Sequence, residues 1–250
     1  MTSTSSFTPS TALVTGATSG IGRATAIALA TTGIHVAAAG RDKTRGDQTV
    51  AAIRAAGGRA DFVPADLRDT ASATQLAAVA EAVLGHVDIL VNNAGSGAFG
   101  PTVDTTEAAF DELFALNVKV PYFLTAALAP GMVERGAGVI INVSTMVAEF
   151  GLDGMALYGS TKAALELLTK AWSAEFGPKG IRVNAVAPGP VATEGTEGMR
   201  EAQGYLASLA PARRLGTAEE IAAAIVYLAS PGAAFTHGVV LPVDGGRAAV

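Results

Sequence analysis

Short runs of consecutive apolar residues alternate along the chain with longer, alanine-rich stretches in which apolar residues recur at helical spacing. Strands that are apolar on successive residues are typical of a sheet buried on both faces. Strands that alternate with helices favour a parallel sheet covered on both sides. The predicted strands are residues 11–15, 35–39, 60–63, 88–91, 138–143, 181–186 and 239–243. The pattern predicts an α/β fold with one doubly wound parallel sheet.

The helical stretches complete this prediction. Helices are predicted at about residues 21–32, 47–56, 71–84, 107–133, 157–176 and 218–228, with Pro121 as a kink in the longest. No linker or repeat divides the chain, so residues 11–250 are predicted to be a single domain. Residues 1–10 are rich in Ser and Thr and are predicted to be a disordered tail. Residues 194–216 are rich in Gly, Glu and Ala and weakly periodic, which indicates a mobile lid over a substrate.

Composition narrows the possible functions. The 250 residues are 50% apolar and 16% charged, enough for one large core. The net charge is −5 and the basic residues are scattered, so we expect no nucleic-acid partner. No apolar run approaches the ~18 to 20 residues of a membrane helix, and no signal peptide is evident, so we expect no membrane partner and a cytoplasmic location. Without cysteines, and with His35, His86 and His237 at no metal-like spacing, no metal site is expected.

Glycines follow the first predicted strand, in the segment Thr15-Gly16-Ala17-Thr18-Ser19-Gly20-Ile21-Gly22. Glycine allows a tight turn and a close approach of the backbone to a pyrophosphate, whose charge is stabilised by the N-terminus of the next helix. A strand-to-helix turn that merely needs glycine is the alternative. Because the segment lies in a strand–loop–helix unit at the start of the fold, we expect a nucleotide site and a Rossmann-type sheet of about seven strands.

The end of the second predicted strand bears on the choice of nucleotide. An acidic residue there would bind a ribose 2′-hydroxyl and repel a 2′-phosphate. This chain has Gly40 and then Arg41, whose guanidinium can bind a phosphate in bidentate fashion; a solvated surface arginine is the alternative. The pair predicts NADP(H), with Lys43 and Arg45 as further candidates for the phosphate. Asp66, at the end of the third strand, is predicted to receive the adenine amino group.

Tyr158 and Lys162 are four residues apart, in Tyr158-Gly-Ser-Thr-Lys162, which places their side chains on one face of a helix. A free phenol has a pKa of about 10, too high for easy proton exchange at neutral pH. A nearby ammonium favours the phenolate, so we expect Lys162 to lower the pKa of Tyr158 and make it an acid or base. The other tyrosines, at 122, 205 and 227, have no lysine at this spacing.

These segments, together with Asn92-Asn93-Ala94-Gly95, Asn117 and Pro188-Gly189, resemble in kind and order the signature of short-chain dehydrogenases/reductases. The resemblance covers essentially the whole chain after residue 10. It implies an NADP(H)-dependent oxidoreductase acting on a ketone or secondary alcohol, in which Tyr158 donates the proton. Within that family the chain resembles 3-oxoacyl-acyl-carrier-protein reductases.

The resemblance also implies roles for individual residues. The asparagines at 92 and 93 and their neighbours would shape the cofactor pocket and steady the sheet. Lys162 would also bind the nicotinamide ribose, Asn117 would hold a water linking Lys162 to solvent, and Thr193 would bind the carboxamide. The implied catalytic residues are Asn117, Thr145, Tyr158 and Lys162. The implied cofactor-binding residues are Gly16, Thr18, Ser19, Gly20, Ile21, Gly22, Arg41, Asp66, Leu67, Asn93, Ala94, Gly95, Tyr158, Lys162, Pro188, Gly189, Val191 and Thr193.

One position departs from the family pattern. The family usually has a serine thirteen residues before the tyrosine, where it hydrogen bonds the substrate carbonyl, and this chain has Thr145 there and Ser144 one residue earlier. A threonine hydroxyl can donate the same hydrogen bond, although its methyl group restricts the side chain. Consecutive residues of an extended backbone point in opposite directions, so the spacing favours Thr145 over Ser144.

The segments around the predicted active site also bear on the substrate. Thr145, Phe150, Met155 and Tyr158 are the predicted substrate-binding residues, and Phe99, Leu152, Met199 and Tyr205 extend an apolar wall for which ordinary packing is the alternative. A carrier-bound or CoA-bound substrate would favour a basic patch, which Arg200, Arg213 and Arg214 could supply. A sugar, steroid or secondary-alcohol dehydrogenase is the alternative within the family. A non-catalytic nucleotide sensor is disfavoured because it has no need of Tyr158 and Lys162.

The resemblance also implies a homotetramer, with the helices at 107–133 and 157–176 in one contact and the C-terminal segment in another.

Overall fold

Seven parallel strands form the central sheet, in the order β3-β2-β1-β4-β5-β6-β9. The computed structural model describes residues 7–250, without the side chains of Thr196, Met199 and Arg200. The strands are β1 (Thr11–Thr15), β2 (His35–Gly40), β3 (Arg59–Pro64), β4 (Ile89–Asn92), β5 (Gly138–Val143), β6 (Ile181–Pro188), β7 (Val191–Ala192), β8 (Gly216–Thr217) and β9 (Val240–Val243). Strands β7 and β8 pair apart from the main sheet. This topology confirms the predicted doubly wound α/β fold.

Helices cover both faces of the sheet. They are α1 (Gly20–Thr31), α2 (Lys43–Ala55), α3 (Thr70–Leu84), α4 (Glu107–Phe114), α5 (Val120–Arg135), α6 (Ala156–Phe176), α7 (Arg200–Leu209) and α8 (Ala218–Ala229). Helices α1, α2 and α8 share one apolar core, to which Ile89 and Val91 of β4 contribute. Leu90 belongs to the other core, with α3, α5 and α6. Successive residues of a strand face opposite cores, which is why the strands are apolar throughout.

The predicted helix over residues 107–133 is interrupted. α4 ends at Phe114, a π-helical turn covers Ala115–Lys119, and α5 begins at Val120. The predicted kink at Pro121 is therefore replaced by a π turn directly before it, and Pro121 lies in the first turn of α5. Such turns accommodate an extra residue in a helix and are frequent at functional sites. This one holds Asn117 in the buried interior.

Two predicted boundaries differ from the structure by more than two residues. Helix α2 begins at Lys43, earlier than expected, because the Asp42 carboxylate accepts a hydrogen bond from the Arg45 N–H and caps the helix. Of the predicted tail, residues 1–6 lie outside the described residues. Ser10, however, donates hydrogen bonds to the Asp88 carboxylate from its N–H at 2.8 Å and from its hydroxyl at 3.0 Å. Because Phe7 also packs against the core, residues 7–10 belong to the domain rather than to the tail.

The predicted lid at residues 194–216 contains secondary structure of its own. A 3₁₀ segment covers Glu194–Met199, α7 follows, and the segment ends at β8, which pairs with β7. Near the end of α7 the buried side chains are the small ones of Ala207 and Ala210. Because small alanines give little contrast with the exposed positions, the sequence pattern did not predict this helix. Movement of the segment stays a prediction.

Within the described residues, one helical stretch, Glu107–Arg135, is long and apolar enough to cross a membrane by length and composition alone. The sequence pattern had suggested no such run. The stretch consists of α4, the π turn and α5, and its residues Leu124, Leu128 and Met132 are buried in the core shared with α3. Its apolar character therefore has an explanation in the packing of this domain.

Candidate active site

The C-terminal ends of the parallel strands meet at one edge of the sheet, where the strand order reverses between β1 and β4. Open α/β sheets bind ligands at such a reversal. A cavity of about 320 Å³ lies there. Of the predicted cofactor-binding residues, it is lined by Gly16, Thr18, Ser19, Gly20, Ile21, Gly22, Arg41, Leu67, Asn93, Ala94, Gly95 and Thr193. Gly40 and the phosphate candidate Arg45 also line it, and Asp42, Ala65, Leu116 and Gly195, which were not predicted, complete the wall.

The glycine-rich loop is shaped for a close approach of a ligand. Gly16 has φ +66°, a conformation that side chains disfavour. A Cβ atom on Gly22 would lie 2.2 Å from the Gly16 carbonyl oxygen and 2.4 Å from Asn93 Nδ2, so no larger residue fits. Helix α1 begins at Gly20 and directs its N-terminus at the cavity. The loop therefore has the geometry of a phosphate cradle.

Asparagines hold the strand ends around this cradle. Asn93 Nδ2 donates to the Thr15 carbonyl oxygen at 2.8 Å, and the Asn93 N–H donates to Thr15 Oγ1 at 3.0 Å. Asn92 Nδ2 donates to Asn142 Oδ1 at 2.9 Å, in the interior. These bonds join β4 to β1 and to β5. The arrangement agrees with the supporting role that the family resemblance implies for the two residues.

Glu194 is a part of the site that the sequence did not reveal. Its Oε2 accepts a hydrogen bond from the Gly20 N–H at 3.0 Å, at the start of α1. Hydrogen bonds from its own N–H and from Gly20, with the charges of Arg23 and Arg45, hold the pKa of Glu194 below its usual value. A second cavity, of about 810 Å³, is lined by Gly20, Thr193 and Glu194. The start of α1 thus already stabilises one negative group.

The end of β2 is free of bulk and carries positive charge. Gly40 presents no side chain there, and a Cβ on it would lie 2.5 Å from Thr18 Cγ2, so a larger residue would require the Thr18 side chain to move. Arg41 is exposed and lines the cavity, as does Arg45. Arg45 Nε, however, donates to Asp42 Oδ2 at 2.8 Å, so part of its charge is already compensated.

The two remaining polar candidates near the nucleotide site have other partners. Lys43 does not line the cavity, and its Nζ lies 2.6 Å from Asp47 Oδ2. Asp66 accepts a hydrogen bond from Arg68 Nε at 2.8 Å, which lowers the pKa of Asp66. The residues on either side of Asp66, Ala65 and Leu67, line the cavity, whereas Asp66 itself does not. Its contact with an adenine amino group stays a prediction.

Tyr158 lies in the first turn of α6, and its hydroxyl is hydrogen bonded to that of Thr145. Burial raises the pKa of Tyr158, and the bond with Thr145 opposes this. Lys162 Nζ lies 6.0 Å from the centre of the Tyr158 ring and donates to the Val143 carbonyl oxygen at 2.9 Å. Burial also lowers the pKa of Lys162 to about 8. The expected lowering of the Tyr158 pKa by Lys162 is therefore not found in the protein alone, because desolvation dominates at both groups.

The π turn brings Asn117 to the same place. Asn117 Nδ2 donates to Thr161 Oγ1 at 3.0 Å and to the Ser96 carbonyl oxygen at 2.9 Å, and its Oδ1 accepts from the Ser96 N–H at 3.0 Å. A Cβ on Gly95 would lie 3.2 Å from both Asn117 Oδ1 and Lys162 Nζ. The predicted catalytic residues Asn117 and Lys162 therefore lie side by side under the Gly95 backbone. The water-holding role of Asn117 stays a prediction.

Thr145 and Ser144 point in opposite directions, as the extended backbone requires. Thr145 has φ −165° and ψ 152°. Its hydroxyl meets Tyr158, whereas Ser144 Oγ donates to Glu166 Oε1 at 2.6 Å in the interior. The two side chains therefore differ in direction as the spacing argument requires, and the contact of Thr145 with a substrate stays a prediction.

The residues after β6 reach the cofactor side of the site. Pro188 is the last residue of β6, and a Cβ on Gly189 would lie 2.6 Å from Asp244 Cα. Val191 is buried in β7, and Thr193 lies against Gly20, where its Cγ2 would be 3.2 Å from an added Cβ. Thr193 thus stands at the junction of the two cavities.

The predicted substrate wall is only partly assembled. The Phe99 ring lies 6.0 Å from the Tyr158 ring, centre to centre. Met155 immediately precedes α6. The Phe150 ring instead packs under the Arg247 guanidinium, at 4.9 Å. The Tyr205 side chain is exposed on α7, and that of Met199 lies outside the described residues.

The basic patch expected for a carrier is engaged in local contacts. Arg214 forms two hydrogen bonds with the Glu220 carboxylate, at 2.8 and 2.6 Å, and Arg213 donates to the Ser208 carbonyl oxygen. The Arg200 side chain lies outside the described residues. Among the residues that the structure describes, no group of three His, Asp or Glu is placed to hold a metal ion.

Comparisons with known proteins agree with this architecture. A family model described as enoyl-(acyl carrier protein) reductase matches residues 16–248. A solved structure described as a β-ketoacyl-ACP reductase is 49% identical, covers 96% of this chain and 98% of its own, and superposes with a TM-score of 0.87.

Two further structures contain cofactors. One, from Beutenbergia cavernae and described as an NAD(P)-dependent gluconate 5-dehydrogenase with bound NADP, is 37% identical over 96% of this chain and 97% of its own, with a TM-score of 0.91. A 7α-hydroxysteroid dehydrogenase complexed with NADH is 36% identical over 95% of this chain and 93% of its own, also with a TM-score of 0.91. The fold and the site thus define an oxidoreductase that uses a nicotinamide cofactor. The chain belongs to the short-chain dehydrogenase/reductase family.

Proposed function

We propose that the protein catalyses the reversible reduction of a ketone to a secondary alcohol with NADP(H). The observation that carries this proposal is the contact of Tyr158 with Thr145 at the sheet edge, one helical turn from Lys162 and beside the glycine cradle. Two hydroxyl groups, one of them a phenol that can give up a proton, meet where family members transform a carbonyl.

The residues at the cradle fit a dinucleotide. The packing at Gly22 leaves room only for a backbone, and the Gly20 N–H already donates a hydrogen bond to an anionic group, the Glu194 carboxylate. Arg41 would hold the 2′-phosphate, Thr193 the carboxamide end and Lys162 the ribose of the nicotinamide. The bound cofactor supplies the hydride.

The catalytic residues handle the oxygen of the substrate. Thr145 Oγ1 donates a hydrogen bond to the carbonyl oxygen and orients it. Tyr158 holds its proton at neutral pH, because burial raises its pKa, and gives it to that oxygen as the alcohol forms. Lys162, with its pKa near 8, is charged at neutral pH and stabilises the phenolate left behind. Alcohol oxidation follows the same path in reverse.

The preference for NADP(H) over NAD(H) is supported by Gly40 and Arg41. Gly40 has no carboxylate that would repel a 2′-phosphate, and Arg41 lines the cavity. Asp42 lines the same cavity, but Arg45 is hydrogen bonded to it. Relative rates with NADPH and NADH decide the preference. Equal kcat/KM for the two cofactors would refute it.

A 3-oxoacyl thioester is the substrate class that we propose first, supported by the likeness to the structure described as a β-ketoacyl-ACP reductase. The engaged Arg213 and Arg214 leave little free positive charge for a carrier protein or for the phosphates of CoA, which favours a thioester whose thiol portion is small and uncharged. The alternative is a sugar acid or steroid alcohol, as in the two cofactor-bound relatives.

An assay of NADPH consumption tests these proposals together. The panel contains acetoacetyl thioesters of CoA and of a carrier protein, a keto sugar acid, an oxosteroid and simple ketones. Turnover of one class, abolished in Tyr158→Phe with NADPH binding retained, supports the function and names the substrate. Retained turnover in Tyr158→Phe would refute the mechanism.

The homotetramer stays a proposal, as does the cytoplasmic location. The homotetramer is supported by two aromatic side chains that are exposed on α5, Tyr122 at 45% and Phe123 at 37%. The Tyr122 ring lies near that of Trp172 on α6. Such an apolar surface is typical of a contact between subunits. Analytical ultracentrifugation of the wild type and of Phe123→Glu tests it, and a monomeric wild type would contradict it.

A further inference from the structure

Glu166 is a buried acidic residue for which the proposed reaction has no use. It lies on α6, one helical turn beyond Lys162 and two beyond Tyr158, so it shares their face of the helix. The residue is only 8% exposed. Because carboxylates are rarely buried unless they are paired, its contacts must account for its place.

The partner of Glu166 is Ser144. Ser144 Oγ donates to Glu166 Oε1 at 2.6 Å, and the Ser144 N–H donates to the Val186 carbonyl oxygen at 2.8 Å. Burial raises the pKa of Glu166, and the bond from Ser144 opposes this. A hydrogen bond to a carboxylate is stronger than one between neutral groups. Ser144 is thus fixed from both sides, by β6 through its backbone and by α6 through its side chain.

The bond is one of three that tie the end of β5 to α6. Asn142 Nδ2 donates to Thr169 Oγ1 at 2.8 Å, Lys162 Nζ to the Val143 carbonyl oxygen at 2.9 Å, and Ser144 Oγ to Glu166. The side chains of residues 142 and 144 both face α6, as the strand period requires. Of the two bonds made by side chains of residues 142 and 144, that of Ser144 lies closer to Thr145, its neighbour in the chain.

Thr145 follows Ser144 on an extended backbone, with φ −165° and ψ 152°. Its side chain therefore points in the direction opposite to that of Ser144. It contacts Tyr158, at the start of α6, and not Glu166. Turning Ser144 about the strand axis would turn Thr145 with it. The direction of the Thr145 hydroxyl thus depends on what holds Ser144.

We infer that Glu166 is a positioning residue, which through Ser144 fixes the direction in which Thr145 presents its hydroxyl to Tyr158 and to the substrate oxygen. The inference rests on the proposed function of Thr145 and Tyr158. Glu166 itself touches neither substrate nor cofactor in this role. It acts by restricting the backbone at one residue.

Kinetics of four variants test the inference. Ser144→Ala and Glu166→Ala should each lower kcat about tenfold, since small misplacements of catalytic groups are costly. NADPH affinity should stay within about twofold, because neither residue lies at the cradle. Glu166→Gln keeps an acceptor for Ser144 and should restore most of the rate. Thr169→Val is the matched control: it removes the neighbouring bond between β5 and α6, and should lower Tm without lowering kcat.

Combined variants separate positioning from general damage. Ser144→Ala with Glu166→Ala should be no slower than the slower single variant, because one bond is lost in each case. In a Thr145→Ala background, Glu166→Ala should cause no further loss of kcat. A full further loss there, or an equal loss in Thr169→Val, would overturn the inference.

A measurement without substrate keeps the inference separate from the proposed function. Tyrosine labelled with ¹³C at Cζ reports the titration of Tyr158 in the NADP⁺ complex, and Tyr158→Phe assigns the signal. Because the Thr145 bond lowers the pKa of Tyr158, Glu166→Ala should make the signal titrate at higher pH than in the wild type. If no carbonyl is reduced by the wild type, the proposed function fails. An unshifted Tyr158 signal in Glu166→Ala overturns the positioning role alone.

Discussion

The hydroxyl of Thr145 is hydrogen bonded to the phenol of Tyr158, and this bond lowers the pKa of the phenol. Burial acts in the opposite direction and more strongly, so the pKa of Tyr158 stays above its ordinary value. The two effects together leave the proton on Tyr158 at neutral pH. The protein alone is therefore set up to donate a proton, as reduction requires.

The pH dependence of the two directions should differ for this reason. Carbonyl reduction needs the protonated phenol, so its kcat/KM should be level through neutral pH and fall only on the alkaline side. Alcohol oxidation needs the phenolate and should accelerate as the pH rises. Rate profiles in both directions with the same substrate pair check this. An oxidation rate independent of pH would contradict Tyr158 as the base.

Removal of the Thr145 hydroxyl should mainly affect turnover. Thr145→Ala should lower kcat about 100-fold, the usual loss for one donor to a developing oxyanion, with NADPH affinity unchanged. Thr145→Ser keeps the hydroxyl and should stay within a few-fold of the wild type. Steady-state kinetics also compare Ser144→Ala, for which a smaller loss is expected. The opposite order of losses would transfer the role to Ser144.

Lys162 should make the protein less stable at neutral pH than it would otherwise be. Burial lowers its pKa from 10.5 to about 8, so above pH 8 the unfolded state binds more protons than the folded state, and stability rises with pH. Lys162→Met should therefore raise the free energy of unfolding near pH 7 by on the order of 2 kcal/mol, with part of the gain offset by the lost bond to Val143. Turnover should be lost.

Urea unfolding at several pH values checks this prediction. The difference between Lys162→Met and the wild type should narrow as the pH rises from 8 towards 10.5. Lys170→Met, at an exposed position of the same helix, is the control and should show no such narrowing. A Lys162→Met variant less stable than the wild type at neutral pH would contradict the assigned cost of burial.

The fold was predictable because consecutive apolar residues mark the strands of a sheet that is buried on both faces. Ile89, Leu90 and Val91 alternate between two cores, so the run that identified β4 also requires helices on both faces. The placement of Tyr158 and Lys162 on one face was predictable because both lie on one helix, where spacing determines direction.

Other features of the site could not be predicted from the sequence, for physical reasons. The π turn at Asn117 adds one residue to a turn, a change too small to alter the apolar period of a long helix. The contact of Glu194 with Gly20 joins residues 174 positions apart, and no local pattern encodes it. The Tyr158 pKa could not be foreseen either, because burial depends on the packed structure.

Arg41 should determine the affinity for the 2′-phosphate. Arg41→Ala removes a guanidinium from the cavity wall and should raise KM for NADPH roughly tenfold, with KM for NADH unchanged. Lys43→Ala is the matched control, because Lys43 is close by, exposed and paired with Asp47, and should change neither constant. An equal rise in KM for NADPH and NADH in Arg41→Ala would show that Arg41 does not bind the 2′-phosphate.

Glu194 should weaken the binding of the cofactor it faces. Its carboxylate takes the Gly20 N–H at the start of α1, where the pyrophosphate is expected, and its lowered pKa keeps it charged at neutral pH. A charge at a helix N-terminus contributes about 0.3 to 1 kcal/mol, so Glu194→Gln should lower the Kd of NADPH about twofold to fivefold. Fluorescence titration of NADPH measures this.

Salt and a neighbouring glutamate supply the controls for this last prediction. The advantage of Glu194→Gln should shrink at high ionic strength, because an exposed charge is screened. Glu219→Gln removes a charge from the first turn of α8, on the wall of the second cavity, and should leave the Kd unchanged. If Glu194→Gln instead binds NADPH more weakly than the wild type, the carboxylate supports the bound cofactor and does not compete with its phosphates.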